Sequence, residues 1–244
     1  MNVAAEFLSW DTAFFGVRIG RLTRQRMDAP YLAEVLAWAQ TEQIACLYFL
    51  ADPDDPPTVR LAEDAGFRFM DIRSTLEIAR LNPPALPMLS EGVHLRMGQA
   101  SDFEPLRHVA RDSYTQTRFF SDPRFSHAQC ADLYETWLRR SLLEQWADGV
   151  VVAEVDGVPM GYVTGHLDAQ HQRARIGLVG VHEATRGRSV GAAMLAKTLQ
   201  WFHEAGMTSV EVTTQARNIP AQRLYQRAGF IAQSVGLWYH LWLS

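Results

Sequence analysis

A short segment of the chain combines small residues with the start of a predicted helix, a pattern that can bind anions. The segment is Arg186-Gly187-Arg188-Ser189-Val190-Gly191-Ala192. Unpaired N–H groups in the first turn of a helix point outward and bind negative charge, and the helix dipole strengthens the attraction. Small residues also let the backbone approach a ligand closely. The segment therefore predicts a pyrophosphate site, although two glycines before a helix are also common in ordinary turns.

A second predicted helix follows one strand later and carries a phenol on one face. Asn218, Ala221 and Tyr225 are spaced three and four residues apart, so they share a face at 3.6 residues per turn. Asn218 is a favourable N-cap, Pro220 suits the first turn, and Gly229 stands where the helix is expected to end. One interpretation is that the phenol takes part in chemistry beside the anion site. The other is an amphipathic helix in which Tyr225 only packs.

Together, the two segments resemble the GNAT superfamily of acetyl-CoA-dependent N-acetyltransferases. The acetyl-CoA loop of that superfamily has the form Q/R-x-x-G-x-G/A, which Arg186 and Gly191 match and Ser189 matches imperfectly. Its next helix often reads N-x-x-A-x-x-L-Y-x-x-x-G-F, and the matching residues are Asn218, Ala221, Leu224, Tyr225, Gly229 and Phe230. The resemblance covers roughly residues 93–244. Within the superfamily, the TDP-amino-sugar acetyltransferases are most similar, through the phrases WDTAFFGVRIGRL, TRFFSDPRF, ARIGLVGV and the run from TTQARN to LWYHLWL.

The resemblance implies an α/β (α+β) GNAT fold, with a mixed central sheet flanked by helices, and acetyl-CoA as cosubstrate. In that family the strand matching residues 176–181 separates from its neighbour and pairs with the pantetheine arm. Backbone N–H groups at Val179 and Val181 would then polarise the thioester carbonyl, and Tyr225 would protonate the leaving sulfur. The residues implied to bind acetyl-CoA are Val179, Val181, Arg186, Gly187, Arg188, Ser189, Val190, Gly191, Ala192, Asn218 and Ala221.

Ser189 is a departure from the family pattern, because it replaces the first glycine of the loop motif. If this position requires a positive φ angle, serine costs roughly 1 kcal/mol or more there. The N–H donor survives the replacement and the hydroxyl adds another donor. We therefore expect acetyl-CoA binding to persist.

The acceptor amine is expected to bind near SYTQTRFFSDPRF (113–125), a predicted loop rich in aromatic rings and arginine. Arg118 or Arg124 would bind the diphosphate of a nucleotide-linked sugar; alternatively, the aromatic residues only fix the loop to the body. The candidate acceptor-binding residues are Tyr114, Arg118, Phe119, Arg124 and Gln215. The acceptor is a dTDP-linked amino sugar in the first hypothesis, and a peptide, lysine or small amine in the second. A non-catalytic acyl-CoA-binding protein is a third.

No carboxylate stands out from the sequence as the base that removes a proton from the acceptor amine. Glu183 and Asp168 lie near the right segments but are typical surface residues. His166 is a single histidine on a strand, which is more often structural than catalytic. Deprotonation through water is therefore the favoured interpretation.

The N-terminal residues contain a faint repeat of the phenol helix. Residues 60–67 and 223–230 are identical at five of eight positions. A shared way of ending helices would explain this, and so would a degenerate, partial GNAT copy. Such a copy would have lost the chemistry, because Ala62 replaces the tyrosine and Asp55 the asparagine. We predict an N-terminal α/β domain (1–80), a proline-rich linker (81–92) and a GNAT domain (93–244).

Hydrophobic periodicity and turn residues predict the remaining elements. In chain order these are strand-like runs in 6–23 around a turn at Phe14-Phe15-Gly16, a helix in 30–43, a strand in 44–51, a helix ending at Gly66, strands in 69–79 and 93–97, a helix capped by Ser101 and Glu104, a helix in 126–146, and a hairpin in 150–167. The final LWYHLWL run fits either a buried strand or a partner surface.

Composition limits the class of protein. The 244 residues carry a net charge of −4 without a basic stripe, which argues against nucleic acid as the main partner. Cys46 and Cys130 form no metal or redox spacing and suit a reducing compartment, so no metal site is predicted. No signal-like segment or long apolar run is present, so we expect a cytoplasmic protein that does not bind membranes. A homodimer is compatible with the sequence.

Overall fold

The computed structural model describes residues 4–185 and 188–243. In these residues ten strands form a single mixed sheet. They are β1 (Ala5–Phe7), β2 (Ile19–Leu22), β3 (Cys46–Ala51), β4 (Arg68–Ile78), β5 (Val93–Met97), β6 (Gly149–Val155), β7 (Val158–Asp168), β8 (Arg173–Val181), β9 (Ser209–Gln215) and β10 (Ile231–Trp242). Their order across the sheet is β1-β2-β3-β10-β4-β9-β8-β7-β6-β5.

Helices cover both faces of this sheet. They are α1 (Ser9–Phe15), α2 (Ala29–Thr41), α3 (Pro56–Asp64), α4 (Phe103–Ser113), α5 (Arg118–Ser121), α6 (His127–Leu143), α7 (Val190–Glu204) and α8 (Ile219–Arg227). Successive residues of β3 point to opposite faces of the sheet. Cys46 and Tyr48 pack with α4 and α6 on one face. Leu47 and Phe49 pack with α2 on the other face. The expected mixed sheet with flanking helices is confirmed. Among the described helices, none has the length and apolar character needed to cross a membrane.

The C-terminal strand lies in the middle of the sheet. β10 runs antiparallel to both β3 and β4, and β4 continues the sheet to β9. The LWYHLWL run lies almost entirely in β10, where Tyr239, His240 and Leu241 are buried. It is therefore a buried strand. Segment 81–92 contains neither helix nor strand, and strands on both sides of it belong to the same sheet.

The connectivity of the N-terminal strands repeats that of the C-terminal ones. β1 is antiparallel to β2, and β2 is parallel to β3 after the crossover helix α2. β7, β8 and β9 follow the same pattern with α7 as the crossover. α3 then leads to β4 as α8 leads to β10, and these two strands pair at the centre. This repetition favours the partial duplication proposed from residues 60–67.

Three local predictions were wrong. Residues 9–15 form helix α1 rather than a strand-like run, because burial of Phe15 overrides the β propensity of its neighbours. The predicted cap by Ser101 and Glu104 is replaced by a capping box of Gln99 and Asp102, which begins a 3-10 turn before α4. The loop predicted for 113–125 contains the one-turn helix α5. By contrast, Asp156 and Gly157 have the positive φ angles expected of the β6–β7 turn.

Candidate active site

The sheet opens between β8 and β9. These parallel strands pair only as far as Ile176 opposite Val212. Beyond that point β8 stays with β7, whereas β9 pairs with β4. Within the described residues, Gly177–Val181 thus have no strand partner on the β9 side. This opening is the separation that the family resemblance implies for the strand.

A cavity of about 270 Å³ lies at this opening. Its walls come from β4, β8, β9, α6, α8, the end of α4 with the segment that follows it, and one ring of β10. The described residues that line it are charged (Asp71, Arg73, Arg118), aromatic (Tyr114, Phe119, Tyr134, Trp137, Tyr225, Trp238), polar (Ser113, Thr117, Thr213, Thr214, Gln215, Asn218) and small or aliphatic (Gly177, Leu178, Val179, Ala221, Leu224). The structure thus brings together residues predicted for acetyl-CoA and residues predicted for the acceptor.

Tyr225 lies at the wall of this cavity. Asn218 accepts a hydrogen bond from the backbone of Ala221 at 3.2 Å, which fixes the first turn of α8 and so the direction of its face. The Tyr225 side chain is 4% exposed and packs edge-on against Phe230, with ring centroids 5.7 Å apart. Burial raises the pKa of Tyr225 well above its ordinary value. The phenol is therefore protonated at neutral pH, and no described residue hydrogen-bonds its hydroxyl.

The backbone of β8 is irregular beside the cavity. The pairing of β7 with β8 shifts register between Val163 and Gly165. At this shift the N–H of Leu178 donates to the Thr164 hydroxyl at 2.7 Å, so that amide is already used. Val179 lines the cavity, whereas Val181 is not among the described residues that line it. Of the two donors predicted for the thioester carbonyl, Val179 is thus the better placed.

The start of α7 keeps its first-turn N–H groups uncapped. Ser189, the N-cap residue, has φ +59° and does not hydrogen-bond the helix through its side chain. A Cβ added at Gly191 would approach described atoms no closer than 3.7 Å, so packing does not require glycine there. An uncapped helix start with an unobstructed glycine fits a diphosphate. Arg186 and Gly187, also predicted to bind acetyl-CoA, lie outside the described residues.

Replacing Ser189 with glycine tests the cost of the left-handed backbone at this position. Because glycine adopts positive φ without strain, we expect Ser189→Gly to raise the free energy of unfolding by up to about 1 kcal/mol. The Kd of acetyl-CoA should stay the same or fall, because the N–H donor is retained. Ser189→Ala, which keeps the strain and removes the hydroxyl, is the matched control. Weaker acetyl-CoA binding by Ser189→Gly would show that the hydroxyl, rather than the backbone, binds the ligand.

Arg118 is held in the cavity by a buried network. Its guanidinium lies over the rings of Tyr48 (4.0 Å) and Trp238 (4.4 Å) and donates to His240 Nε2 at 2.8 Å. On the other side of the imidazole, Nδ1 of His240 lies 2.7 Å from Asp122. Because guanidinium can only donate, Nε2 must be the acceptor, and the proton is on Nδ1. The order of donation is therefore Arg118 to His240 to Asp122.

The protonation states of this network follow from burial and hydrogen bonding. His240 is fully buried, and burial lowers its pKa to about 4, against the raising effect of the hydrogen bond to Asp122 and with a smaller lowering effect of Arg118. Burial alone would raise the pKa of Asp122, but hydrogen bonds from His240, Trp242 and the backbone outweigh it and lower that pKa. At neutral pH the network thus contains a neutral imidazole between an anion and a cation. It fixes Arg118 without neutralising its charge directly.

The neutral state of His240 makes stability depend on pH. Its pKa rises from about 4 in the folded chain to about 6.5 in the unfolded chain, so between these values the unfolded state binds the extra proton. We expect the free energy of unfolding to fall as pH drops from about 6.5 to about 4. His240→Gln, which can still accept from Arg118 and donate to Asp122, should remove part of this slope. Denaturant titrations at pH 4.5 and 7 measure the change in the free energy of unfolding with pH. An equal change in the native protein and in His240→Gln would contradict the role of His240 in this pH dependence.

Comparison with known proteins identifies the family. The model of the acetyltransferase (GNAT) family matches residues 106–230, slightly more than half of the chain. The chain belongs to the GNAT acetyltransferase family. It is an acyltransferase, and acetyl transfer from acetyl-CoA is the reaction of this family.

Two relatives and two solved structures show how far the likeness extends. The chain is 25% identical over 242 residues to dTDP-fucosamine acetyltransferase of Escherichia coli O6:H1 (strain CFT073), covering 98% of each. It is 29% identical over 144 residues to the spore coat polysaccharide biosynthesis protein SpsD of Bacillus subtilis (strain 168), covering 59% of this chain but only 49% of SpsD, about half its length. A GCN5-related N-acetyltransferase from Sphaerobacter thermophilus superposes with a TM-score of 0.69 at 19% identity, covering 98% of this chain and 76% of that one. A tandem GNAT protein from the clavulanic acid biosynthesis pathway superposes with a TM-score of 0.67 at 16% identity, covering 93% of this chain and 76% of that one. These structures bear on the fold alone.

The two arginines predicted for the acceptor lie in different places in this GNAT protein. Arg118 lines the cavity, but Arg124 stacks on Trp242, 5.1 Å from its ring, beside a separate depression next to Asp122. Buried Phe119 and Phe125 fix the segment to the body, as the alternative interpretation proposed. The segment is therefore both anchored by aromatic residues and open to the cavity through Arg118.

Two charged residues of the cavity were missed in the sequence. Asp71 and Arg73 alternate on β4, so they share one face of that strand. The available signal was a pair of opposite charges at alternating positions of a predicted strand. By contrast, Glu183 and Asp168 are exposed, as expected of surface residues. His166 packs edge-on against Trp146, with centroids 5.8 Å apart, and is not among the described residues lining the cavity.

Proposed function

We propose that this GNAT enzyme transfers the acetyl group of acetyl-CoA to the primary amine of a dTDP-linked amino-deoxy sugar. The observation that carries the proposal is the composition of a single cavity, in which Tyr225 and the open edge of β8 face Arg118 and several aromatic rings. Tyr225 and the open edge of β8 suit a thioester. Arg118 and the aromatic rings suit an anionic acceptor that contains a ring. The name of the E. coli relative, which aligns over 98% of both chains, agrees with this acceptor class.

Acetyl-CoA would occupy the side of the cavity formed by β8, α7 and α8. The uncapped N–H groups at Val190, Gly191 and Ala192 suit its diphosphate. The unpaired edge of β8 suits the amides of its pantetheine arm, which brings the thioester towards Val179 and Tyr225. Arg188 lies near the diphosphate site, although one of its nitrogens donates to the carbonyl of Glu91 at 3.2 Å.

The acceptor would occupy the opposite side of the cavity. Arg118 offers a charged, planar group that matches phosphate oxygens. Tyr114 stacks on Tyr134 at a centroid distance of 4.3 Å, and these rings with Trp238 form an apolar wall for a sugar or a base. Gln215, at the end of β9, adds a polar group near the point where β8 and β9 separate. A polycationic acceptor is disfavoured, because Arg118 and Arg73 both line this space.

The chemistry requires an amine without its extra proton, a polarised carbonyl and a protonated leaving group. The nitrogen lone pair attacks the carbonyl carbon and forms the C–N bond. The C–S bond then breaks, and coenzyme A leaves. The N–H of Val179 is the proposed donor to the carbonyl oxygen. Reference pKa values of about 10 for tyrosine and 8.5 for a thiol already make full proton transfer to the thiolate uphill by roughly 2 kcal/mol, and burial of Tyr225, which raises its pKa, adds to this cost. Tyr225 is therefore expected to hydrogen-bond the sulfur and transfer its proton late.

A panel of acceptors tests the proposed function. Incubation with acetyl-CoA and dTDP-amino sugars, UDP-amino sugars, amino acids and polyamines is followed by release of free thiol. We expect the highest kcat/KM with a dTDP-amino sugar and no thiol release with dTDP-glucose, the matched compound without an amine. Fastest turnover of an amino acid or polyamine would overturn the acceptor class. No turnover of any amine would overturn the function.

A further inference from the structure

One carboxylate lines the cavity among the described residues. Asp71 belongs to β4, within the N-terminal eighty residues, and lies opposite Trp238 of β10. It is 2% exposed, although its side chain forms part of the cavity wall. A bound acceptor would therefore meet this carboxylate away from bulk water, and the N-terminal part of the chain supplies it.

The two oxygens of Asp71 have different surroundings. Oδ1 accepts a hydrogen bond from the N–H of Ile72 at 2.8 Å and lies 3.4 Å from Nε of Arg217. No described residue hydrogen-bonds Oδ2. Arg217 is itself fixed by donating to the carbonyl of Met70 at 2.8 Å. The carboxylate is thus held through one oxygen, and the other can accept a proton from a ligand.

Burial makes Asp71 a stronger base than an exposed aspartate. It raises the pKa of Asp71, while the Ile72 hydrogen bond and the cations Arg217 and Arg118 act in the opposite direction with a smaller effect. A carboxylate with a raised pKa removes protons more effectively near neutral pH, because the best catalytic base has a pKa near the working pH.

The remaining titratable groups around Asp71 do not neutralise it. Arg73 of the same strand lines the cavity, and Tyr134 of α6 lies close enough for Asp71 to raise the pKa of that phenol, an effect smaller than burial. His240 of β10 is neutral. The ionisation of Asp71 therefore responds to burial, to the hydrogen bond from the Ile72 N–H and to the cations Arg217 and Arg118.

We propose that Asp71 is the general base for the acceptor amine, a role that rests on the proposed function. The acceptor ammonium gives one proton to Oδ2, and the free nitrogen lone pair then forms the C–N bond while the C–S bond breaks. After the C–N bond has formed, the nitrogen loses a second proton to solvent. Solvent returns a proton to Tyr225, which replaces the proton that the phenol gave to sulfur. Asp71 releases its proton to solvent. The products are an amide, a free thiol and one proton, so the step balances.

The test compares Asp71→Asn with the native enzyme across pH 6–10, with dTDP-fucosamine or the fastest acceptor of the panel. At pH 7 we expect kcat/KM to fall by about 10²-fold or more. The deficit should shrink as pH rises towards the pKa of the acceptor amine, because the amine then loses its proton unaided. The Kd of acetyl-CoA should not change, since Asp71 lies on the acceptor side.

Three further variants separate catalysis from structure. Glu77→Gln removes a carboxylate from the same strand outside the cavity, and we expect native kinetics. Arg217→Met removes the nearest cation, which should move the acidic limb of the kcat/KM profile to higher pH. Asp71→Ser repeats the loss of the carboxylate with a smaller side chain, and thermal unfolding confirms that each variant folds.

The outcomes distinguish this inference from the function on which it rests. If native enzyme acetylates a panel amine while Asp71→Asn and Asp71→Ser keep its rate within threefold and its pH profile, Asp71 is not the base and the function stands. A rise in acceptor KM with an unchanged kcat and pH profile would also overturn the base assignment, leaving Asp71 a binding residue. If no amine is acetylated by the native enzyme, both proposals fail.

Discussion

Replacing Tyr225 with phenylalanine is expected to lower kcat by about 10²–10⁴-fold, the usual contribution of a general acid. The change removes only the hydroxyl, so the ring should keep its packing against Phe230 and the cavity its shape. Because no described residue hydrogen-bonds that hydroxyl, its removal leaves no protein partner unsatisfied. Affinity for acetyl-CoA should therefore change little, and steady-state kinetics with calorimetric titration of acetyl-CoA measures both.

The matched control for this prediction is Tyr239→Phe. The Tyr239 hydroxyl donates to Glu63 at 3.3 Å and is not among the described groups of the cavity. We expect native kcat from this variant. A loss below tenfold in Tyr225→Phe would reduce Tyr225 to a packing residue and leave the leaving thiolate to solvent.

Removing the Arg118 guanidinium is expected to raise the KM of a dTDP-linked acceptor by about 10- to 100-fold. A hydrogen bond to a charged group contributes about 1.5–3 kcal/mol, which corresponds to this range. Arg118→Ala should leave the Kd of acetyl-CoA unchanged, because the diphosphate of acetyl-CoA is assigned to α7. Kinetics with varied acceptor at saturating acetyl-CoA gives the measurement.

Arg124→Ala provides the comparison for Arg118→Ala. Both residues belong to the same segment, and both lie over a tryptophan ring, but only Arg118 lines the cavity. We expect acceptor KM to be native in Arg124→Ala. Equal effects of the two substitutions would mean that loss of charge, or a general disturbance of residues 113–125, explains the change.

The sequence was most informative where local rules decide the structure. Asn218 caps α8, and Gly229 ends it with a φ of +94°, as the spacing of the motif predicted. Ser189 adopts the positive φ that the motif position was suspected to need. In each case the residue type and its immediate neighbours are sufficient, because caps and turns depend on few residues.

The sequence was least informative where distant segments meet. The pairing of β10 with β3 and β4 joins residues roughly 150 to 200 positions apart in the sequence, and hydrophobic periodicity does not identify such a partner. Arg118 and Arg124 could not be separated, since they lie in one segment and the direction of each depends on α5. Asp71 was missed because the strand predicted for residues 69–79 was assigned no role in the site.

The N-terminal strands contribute to the cavity as well as to the sheet. Because β4 lies between β10 and β9, it reaches the point where β8 and β9 separate and brings Asp71 and Arg73 into the cavity. The N-terminal residues can thus supply charged groups to the cavity, although the sequence places no equivalent of Tyr225 among them. The division into domains at 81–92 remains a prediction from the linker composition.

The most direct measurement is the structure of the enzyme with bound coenzyme A. We expect the sulfur to lie between β8 and β9, within about 3–3.5 Å of the Tyr225 hydroxyl, and the diphosphate to lie at the first turn of α7. Density for coenzyme A elsewhere, for example in the groove between Pro84 and Leu195, with the phenol still enclosed by protein, would contradict it.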